Sequence, residues 1–522
     1  MVFSSLAFLC IFLPAVFLLS CAIPSIRAKN WLLISASLVF YSYGEPVYVL
    51  LMLASALMNY VLGRLVEGRA RHGATGAVDT LREKSAIGES GTTGAMGAGA
   101  MGAGAPGATS ALGEKSAVGE TGATSAYGGE GAKPLVAFAV VLNLAFLGVF
   151  KYAGMIVGTI DQIGGLALTI PIVALPIGIS FYTFQAMSYI IDVYRGETAA
   201  AMNFPKVLLY ICFFPQLIAG PIIKYHDVEQ QLSSRRQTLA GTAQGLRRFS
   251  IGLAKKVLVA NTMAVVADSV YAAPLADVNA LAAWVGALAY LVQIYFDFSG
   301  YSDMALGLAC MFGFRYKENF NYPYVSSSVK EFWRRWHISL STWFKEYLYI
   351  PLGGSRVGRL RTGINKIVVF FLCGLWHGAS WTFVIWGFFH GVFLLLEEYV
   401  PVRRLPKALG VVYTLLVVTV GFVLFRAETL DQGLYFITQM FTGFNLEASS
   451  VSLVMRQLDP LFIVTFIIAV VASTPLKGVL ERKVQGGSLL HGASYVFAFV
   501  LFFLCLLSLS SGGYNPFIYF RF

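Results

Sequence analysis

The stretch that decides the fold is Val368–Gly391, VVFFLCGLWHGASWTFVIWGFFHG. It contains no Lys, Arg, Asp or Glu, and apart from the thiol of Cys373 its ionisable side chains are those of His377 and His390. A run of about 18 or more apolar residues is typical of a membrane-spanning helix. An ionisable residue inside such a run is costly to bury and is by default a functional candidate. The stretch therefore predicts membrane helices that carry a functional histidine.

The composition of the whole chain agrees with this interpretation. Of the 522 residues, 57% are hydrophobic and 12% are charged, whereas about 25% are charged in a soluble domain. This excludes an ordinary soluble enzyme. The net charge of +11 is explained by basic loops that fix membrane topology, so nucleic-acid binding is not predicted. The cysteines lie in apolar runs without a CxxC pair, as small buried hydrophobic residues do.

Residues 1–67 predict the first membrane helices and their orientation. Apolar runs lie at about 5–24, 31–43 and 46–66. The first and third connections carry Arg27, Lys29 and Arg64, whereas the second carries only Glu45. Because basic connections lie in the cytoplasm, the N-terminus is expected outside, and the first run is expected to be retained as a span.

Residues 68–132 differ from the rest of the chain. They are rich in Gly, Ala, Ser and Thr, and the motif at 83–89 recurs imperfectly at 114–120. Such a segment buries too little apolar area to offset its ordering entropy. It is expected to be a disordered cytoplasmic insertion, followed by a membrane core over 133–522.

The core predicts an all-α polytopic membrane protein. Further apolar runs lie at 134–152, 165–191, 204–222, 281–298, 302–314, 366–399, 409–426, 460–474 and 493–510. Within 204–222, the prolines Pro205, Pro215 and Pro221 favour a re-entrant element over a straight span. We expect roughly ten to twelve spans, with interfacial helices between them.

The stretch Val329–Leu352, VKEFWRRWHISLSTWFKEYLYIPL, contains a second candidate histidine. As one helix, it would place Trp333, Arg334, Leu340 and Ser341 beside His337. The nearby cation of Arg334 would oppose protonation and keep the imidazole neutral, as a general base requires. The alternative is an interfacial helix anchored by Trp and Arg, in which the histidine has no role.

His377 has Cys373, Gly374, Ser380 and Trp381 at helical spacings of three and four. Gly374 with Gly378, and Gly387 with Gly391, form small-xxx-small pairs that let another backbone approach closely. The alternative role for His377 is an interhelical hydrogen bond. A structural role is favoured for His390, which lies near the end of the run.

Asp297 and Asp303 lie in the stretch Tyr295–Gly313, YFDFSGYSDMALGLACMFG. Their spacing of six residues places them on different helical faces unless Gly300 breaks the helix. They are expected to cap helix ends or to pair with basic groups. No metal site is predicted, because no ligand spacing is present. Intramembrane histidines without a metal fit proton transfer, in either an acyltransferase or a proton-coupled transporter.

Six motifs occur along the chain in an order that resembles a known family. They are FPQLIAGPIIKYHD (214–227), YFDFSGYSDMALGLACMFGF (295–314), NFNYPY (319–324), EFWRRWHISLSTWF (331–344), YIPLGGSR (349–356) and LWHGASWTFVIWG (375–387), and the chain ends in YNPFIYFRF. Together they resemble the membrane-bound O-acyltransferase family, in its bacterial branch. The resemblance covers nearly the whole chain except 68–132, and it implies a funnel-shaped helical bundle.

The resemblance also implies an activity. His377 occupies the LWHG position of the family's active-site histidine, and His337 occupies the RWHxSxS position, where His favours the polysaccharide-modifying branch. We expect acetyl transfer from cytoplasmic acetyl-CoA, across the bacterial inner membrane, onto an exported alginate-like polysaccharide. His377 would be the general base, and His337 would position a reactant or stabilise an oxyanion. No permanently bound cofactor is expected. The acceptor would be the polysaccharide itself or a serine of an SGNH-type partner protein outside the membrane.

Two sets of residues are candidates for supporting this reaction. Those expected to line or support the substrate tunnel are Trp333, Arg334, Trp336, Ser341, Trp376, Trp381, Asp297 and Asp303. Those expected to offer a basic surface to coenzyme phosphates are Arg247, Arg248, Lys255 and Lys256. Three alternatives remain open: acylation of another glycan (cellulose, peptidoglycan or teichoic acid), a transporter of acyl groups or glycan without transferase chemistry, and an inactive docking scaffold.

Overall fold

The computed structural model describes residues 1–88, 130–165, 174–400, 402–445, 447–476 and 488–518. Over these ranges the chain forms helices and no β-strand, which confirms the predicted all-α class. The helices are α1 Leu13–Ala22, α2 Ile26–Ser42, α3 Tyr48–Gly88, α4 Lys133–Leu147, α5 Ala153–Gly164, α6 Ile179–Arg195, α7 Phe204–Cys212, α8 Phe214–Leu217, α9 Tyr225–Ser234, α10 Leu239–Ala254, α11 Asn261–Tyr271, α12 Ala280–Met311, α13 Val329–Arg335, α14 Ile338–Phe344, α15 Arg359–His377, α16 Trp381–Tyr399, α17 Lys407–Arg426, α18 Leu430–Thr442, α19 Ala448–Gln457, α20 Pro460–Ala472 and α21 Ser488–Ser510.

Short π-helical and 3₁₀ turns join several of these helices. The π-helical segments are Phe8–Phe12, Gly148–Tyr152, Lys255–Ala260 and Lys345–Tyr349, and the 3₁₀ turns are Glu130–Ala132, Leu275–Asp277, Pro323–Val325 and Val402–Arg404. Gly148–Tyr152 links α4 to α5, and Lys255–Ala260 links α10 to α11. Each link therefore continues one long helical rod.

Within the described ranges, 7 helices are long and apolar enough to cross a membrane, or up to 8 if the pair α19 and α20, bent by 72°, forms one span. They are Tyr48–Arg71, Lys133–Gly164, Leu239–Tyr271, Ala280–Met311, Trp381–Tyr399, Lys407–Arg426 and Gly492–Ser510. The sequence estimate of ten to twelve counted every apolar run as a span. Several of these runs form helices shorter than the ~20 residues that span a bilayer; α2 and α6 have 17 residues each.

The helix α3 extends beyond the predicted boundary at residue 67. It continues to Gly88, so the first part of the segment expected to be disordered is helical. Glu67 accepts a hydrogen bond from Arg71 at 2.8 Å, an i,i+4 pair that supports helix across Gly68. The remainder of the segment, 89–129, lies outside the described residues.

The segment 204–222 is re-entrant, as its prolines predict. Lys206, at its start, donates a hydrogen bond at 2.8 Å to Ser233 in α9. The chain turns back after α8, and the hydroxyl of Tyr210 donates to the carbonyl oxygen of Ile223 at 2.8 Å. The segment thus enters and leaves on one side of the protein.

Glycines let two pairs of helices pack with their backbones in contact. In α10 and α12, a Cβ added at Gly252 would lie 2.6 Å from the carbonyl oxygen of Gly300. The helix α12 continues through Gly300 without a break. In the hairpin of α15 and α16, a Cβ at Gly374 would collide with the carbonyl oxygen of Phe383 and lie 3.3 Å from Cα of Gly387. The close approach predicted from the small-xxx-small spacing is therefore present.

The stretch Val329–Leu352 is not the single helix that its pattern predicts. The helix α13 ends at Arg335, and His337 has φ 43°, a left-handed conformation from which α14 begins. The predicted neighbours at three and four residues therefore do not surround His337. Its surroundings come from distant parts of the chain, because the turn is held by tertiary hydrogen bonds that sequence periodicity cannot show.

A candidate active site between two cavities

His377 is the last residue of α15 and is 6% exposed. Its ring packs against the aromatic rings of Trp376, Trp386 and Phe425, with centroids 4.9, 5.1 and 5.1 Å away. Its Nδ1 is buried and has no hydrogen-bond partner among the described residues. The imidazole is thus held by ring packing alone and keeps its hydrogen-bonding capacity for a ligand.

His337 is fully buried in the turn between α13 and α14. Its Nδ1 lies 3.3 Å from the side-chain oxygen Oδ1 of Asn319. The same oxygen accepts the backbone N–H of Ser339 at 3.1 Å and its hydroxyl at 2.9 Å. Because Oδ1 can only accept, Nδ1 of His337 is the protonated nitrogen of the neutral ring. Its Nε2 then has a lone pair, and it is buried without a partner among the described residues.

The two histidines face each other in the core. Their ring centroids are 6.5 Å apart, and Trp376 flanks both, with its ring 6.0 Å from His337. Phe298 of α12 packs edge-on against His337 at 4.6 Å. Two imidazoles with unsatisfied nitrogens at this separation can both reach one small reacting group placed between them.

His390 is buried but has a structural partner. The indole Nε1 of Trp333 donates to its Nδ1 at 3.4 Å, and Trp386 packs against its ring at 5.0 Å. Its Nε2 is buried without a partner among the described residues, as in His337, but His390 lines neither cavity, and the structural role favoured from the sequence stays a prediction.

One cavity, of about 280 Å³, reaches His377 and is here called the Glu45 cavity. Its lining includes Glu45, Lys151, Ser180, Trp376 and His377. Glu45 lies in the connection between α2 and α3, so this cavity opens at the end of the bundle where α15 ends.

A second cavity, of about 510 Å³, is here called the basic cavity. Its lining includes the cationic residues Lys330, Arg334, Lys345 and Lys366 together with the single carboxylate Glu398. Arg334 and Lys345 are exposed, whereas Lys366 is paired with Glu398. The cavity is therefore net positive.

The two cavities enter from opposite ends of the hairpin of α15 and α16. The basic cavity runs from Lys366 to Cys373 along α15, and the Glu45 cavity contains His377 at the end of the same helix. Cys373 and His377 are one helical turn apart, a rise of about 6 Å. The linings of the two cavities therefore lie about one helical turn apart along α15, and the ring of His337 packs 6.5 Å from that of His377 at this level.

Four of the eight residues predicted to line or support a tunnel lie at these cavities. Trp333, Arg334 and Ser341 line the basic cavity, and Trp376 lines the Glu45 cavity. Trp336 is buried, with its ring 5.1 Å from Phe320 and 5.3 Å from Phe422. Trp381 is 50% exposed at the start of α16, because α15 ends at His377 and the chain turns before it.

Asp297 and Asp303 pair with basic groups, the second of the two roles expected for them. Asp297 contacts Lys256 at 3.0 Å, with both side chains 3% exposed or less, and its Oδ2 accepts the backbone N–H of Ile518 at 2.9 Å. Asp303 contacts Arg248 at 2.8 Å and Lys255 at 2.7 Å.

These pairs correct the predicted coenzyme surface. Lys256 is buried in its ion pair, and the cations of Arg248 and Lys255 are matched by Asp303. Arg247 donates to the hydroxyl of Ser494 at 2.8 Å and lies over the ring of Tyr495. Lys255 and Lys256 begin a π-helical segment in the middle of a span, where side chains face neighbouring helices. The basic cavity offers a different set of cations, of which Arg334 and Lys345 are exposed.

A further polar cluster combines residues far apart in the sequence. Asp192, Glu197 and His226 offer ligand atoms within 4.8 Å of one another. The carboxylate of Asp192 already accepts the hydroxyl of Tyr347 at 2.5 Å and pairs with Nδ1 of His226 at 2.9 Å. The cluster is thus a hydrogen-bonded network that joins α6, α9 and the Lys345–Tyr349 segment.

Sequence reasoning missed two residues at the site. Lys151 is a lone cation in the apolar run 134–152, and the rule that singled out His377 applies equally to it. Asn319 lies in the NFNYPY motif, but a neutral amide in a loop gives no signal of its own. Of the cations of the basic cavity, Arg334 was predicted as a tunnel residue, whereas Lys330, Lys345 and Lys366 were missed because loops near a membrane are generally basic.

Comparison with known protein families agrees with this architecture. The family model described as the membrane-bound O-acyltransferase family matches residues 197–425, which include both His337 and His377. The matched region begins after α6 and ends in α17, so it contains the linings of the basic cavity and the re-entrant segment.

Three relatives match the chain at similar levels of identity. A probable alginate O-acetylase, AlgI, of Azotobacter vinelandii is 37% identical over an alignment of 560 residues that covers 100% of both chains. The AlgI of Pseudomonas aeruginosa is 41% identical over 83% of this chain and 73% of its own. A peptidoglycan O-acetyltransferase of Helicobacter pylori is 37% identical over 56% of this chain and 62% of its own. The chain belongs to the membrane-bound O-acyltransferase family and is a multi-pass membrane acyltransferase.

Proposed function

We propose that the protein transfers acetyl groups from cytoplasmic acetyl-CoA across the bacterial inner membrane, for O-acetylation of an exported alginate-like polysaccharide. The observation that carries this proposal is the buried pair of histidines between two cavities that enter from opposite ends of one helical hairpin. A transporter of acyl groups would not need two imidazoles with unsatisfied nitrogens at the meeting point. The identity to alginate O-acetylases along the whole chain supports the acetyl group and the polymer class.

The basic cavity would receive the acyl donor. Coenzyme A carries phosphates, and Lys330, Arg334 and Lys345 lie where a polyanion from the cytoplasm would meet them. The N-terminus would then lie outside, as the basic first and third connections predict. The donor's thioester end would reach past Trp333 toward the histidines, in a region whose aromatic walls exclude water.

The Glu45 cavity would receive the acceptor hydroxyl. His377 would remove the proton of the acceptor hydroxyl while the hydroxyl oxygen attacks the thioester carbonyl. The C–O bond would form as the C–S bond breaks. The coenzyme would leave as its thiol after taking the proton from the imidazolium. The lone pair on Nε2 of His337 favours positioning of a reactant over oxyanion stabilisation, because an oxyanion needs a donor.

Two acceptors are compatible with this cavity. One is the polysaccharide itself, and the other is a serine of an SGNH-type partner that passes acetyl to the polymer. A peptidoglycan acceptor is the second candidate function, favoured by the 37% identity to the Helicobacter pylori peptidoglycan O-acetyltransferase. Chemical analysis of the acetylated product distinguishes these glycans.

The test is the acetyl content of the exported polymer, measured by NMR, in cells with the wild-type protein, His377→Ala or His337→Ala at matched membrane levels. We expect the rate of acetyl transfer to fall by ~10²–10⁴ in His377→Ala, because the substitution removes the general base. Acetylation of the exported polymer should therefore vanish in this variant. Polymer export should continue in both variants. His390→Gln serves as a buried control outside the proposed chemistry.

Acetylation that persists in both variants would contradict the roles of the histidines. Loss of polymer export together with acetylation would instead favour the transporter alternative. If cells with the wild-type protein acetylate peptidoglycan and not the exported polysaccharide, peptidoglycan is the acceptor. The proposed transferase chemistry would be unchanged.

A further inference from the structure

Lys151 is a buried cation beside the candidate general base. It lies in the π-helical segment Gly148–Tyr152, inside the span Lys133–Gly164, and it is 9% exposed. Its ammonium donates to the backbone carbonyl oxygens of Trp376 at 2.5 Å and His377 at 3.1 Å, and to the hydroxyl of Ser180 at 3.2 Å. All three of its N–H groups therefore have an acceptor.

The neighbouring residue extends the same contact. The hydroxyl of Tyr152 donates to the carbonyl oxygen of Leu375 at 2.7 Å. Side chains from one π-helical turn thus satisfy three consecutive carbonyls, of Leu375, Trp376 and His377, at the C-terminal end of α15. The last carbonyls of a helix have no partner within the helix, and a cation there interacts favourably with the helix dipole. π-Helical turns inside α-helices occur frequently at functional sites.

Lys151 is buried in the span at a desolvation cost. Lys151 forms no ion pair with a carboxylate in the described part of the chain, and burial of an ammonium group without one is expensive. Its hydrogen bonds to the end of α15 are the interactions that offset this cost. An intramembrane ion that is expensive to bury is by default a functional candidate.

The backbone of His377 is what fixes its imidazole. The ring packs against the aromatic side chains of Trp376, Trp386 and Phe425, and its Nδ1 has no hydrogen-bond partner among the described residues. Its position therefore depends on the end of α15, where Lys151 binds. We propose that Lys151, with Tyr152, is a positioning residue that holds the end of α15 so that His377 faces the acceptor in the Glu45 cavity. This inference rests on the proposed function for its effect on rate.

The test compares Lys151→Met, Lys151→Arg and Tyr152→Phe with Lys133→Met, which changes an exposed lysine at the start of the same span. Initial rates are measured in membrane vesicles, with acetyl-CoA as the variable substrate and the deacetylated exported polymer as acceptor. We expect Lys151→Met to lower kcat by about 10²-fold, as small misplacements of a reacting group do, with KM for acetyl-CoA unchanged. Lys151→Arg should recover part of the rate.

A structural role would give a different pattern. If Lys151 only stabilised the fold, Lys151→Met would lower the unfolding temperature of the detergent-purified protein, and kcat per folded molecule would stay at the wild-type value. That result, or a wild-type kcat without any change in stability, would overturn the inference. We expect kcat per folded molecule to fall in Lys151→Met whether or not its unfolding temperature changes.

A readout independent of turnover separates this inference from the proposed function. Modification of His377 by diethyl pyrocarbonate, followed by mass spectrometry, reports how the imidazole is presented. We expect its rate to change several-fold in Lys151→Met and to stay unchanged in Lys133→Met. If the wild-type protein transfers no acetyl group, the proposed function fails, and the modification rate alone still decides whether Lys151 positions His377. An unchanged modification rate would overturn the inference.

Discussion

Asn319 holds the turn that carries His337. Its side-chain oxygen accepts hydrogen bonds from His337 and Ser339, and its backbone carbonyl accepts the N–H of Ile338 at 2.9 Å. Its amide nitrogen donates to Ser302 of α12 at 3.2 Å. One loop residue therefore joins the histidine turn to the central helix and selects the tautomer of the imidazole.

We predict that Asn319→Ala lowers the rate of acetyl transfer by about 10²-fold, because the turn loses its anchor and His337 loses the acceptor for Nδ1–H. The matched control is Asn321→Ala, which changes an exposed side chain two residues further on. Polymer acetylation at equal membrane levels measures both variants. Equal acetylation in Asn319→Ala and wild type would show that the turn holds without the amide.

At this scale, the sequence singled out His377 but missed Lys151, and it predicted that the aspartates pair with basic groups without showing which groups these are. His377 stood out because nothing nearby offers it a partner. The ion pairs of Asp297 with Lys256 and of Asp303 with Arg248 join residues about 40 to 55 positions apart, and no periodicity reveals such contacts. The basic residues at 247–256 therefore looked accessible in the sequence, although they form ion pairs or hydrogen bonds in the structure.

At the scale of elements, the hairpin of α15 and α16 sets the position of His377. Gly374 and Gly387 let the two backbones touch, with the Cβ position of Gly374 only 3.3 Å from Cα of Gly387. A larger residue at either glycine must push the helices apart, and α15 carries His377 at its end.

We predict that Gly374→Leu destabilises the protein by ~1–3 kcal/mol, as overpacking does, and abolishes transfer by moving His377. Thermal unfolding of the purified protein and the transfer rate measure the two effects. Gly154→Ala is the control, because a Cβ there meets nothing within 4 Å and Ala favours helix. A Gly374→Leu protein with wild-type stability and rate would mean that the hairpin can spread without moving the histidine.

The sequence predicted the helices of the bundle but not where one of them breaks. Apolar runs located the helices, although they overestimated how many are long enough to span a membrane, and proline density predicted the break between α7 and α8. The break at His337 was invisible, because a left-handed residue other than Gly is stabilised here by Asn319 and not by a local signal. The extension of α3 to Gly88 was missed because the glycine-rich composition of 68–132 predicts disorder. Local pairs that favour helix, such as Glu67 with Arg71, were not weighed against it.

At the scale of the whole molecule, the two cavities differ in charge. The basic cavity carries Lys330, Arg334, Lys345 and Lys366 against Glu398, whereas the polar lining of the Glu45 cavity includes one cation, Lys151, whose N–H groups are already used by the end of α15. Under the proposed function, this difference in charge would favour entry of a polyanionic donor at the basic cavity and not at the Glu45 cavity.

Reversal of charge in the basic cavity should therefore weaken donor binding and leave the chemistry intact. We predict that Arg334→Glu raises KM for acetyl-CoA by about tenfold, the equivalent of 1.4 kcal/mol, with kcat unchanged. High salt should narrow this difference, because it screens exposed charges. Arg69→Glu, an exposed change on α3 away from both cavities, should leave KM unchanged. An equal rise in KM in both variants would mean that donor binding depends on the net charge of the protein and not on the basic cavity. An unchanged KM in Arg334→Glu would mean that the coenzyme binds outside the basic cavity.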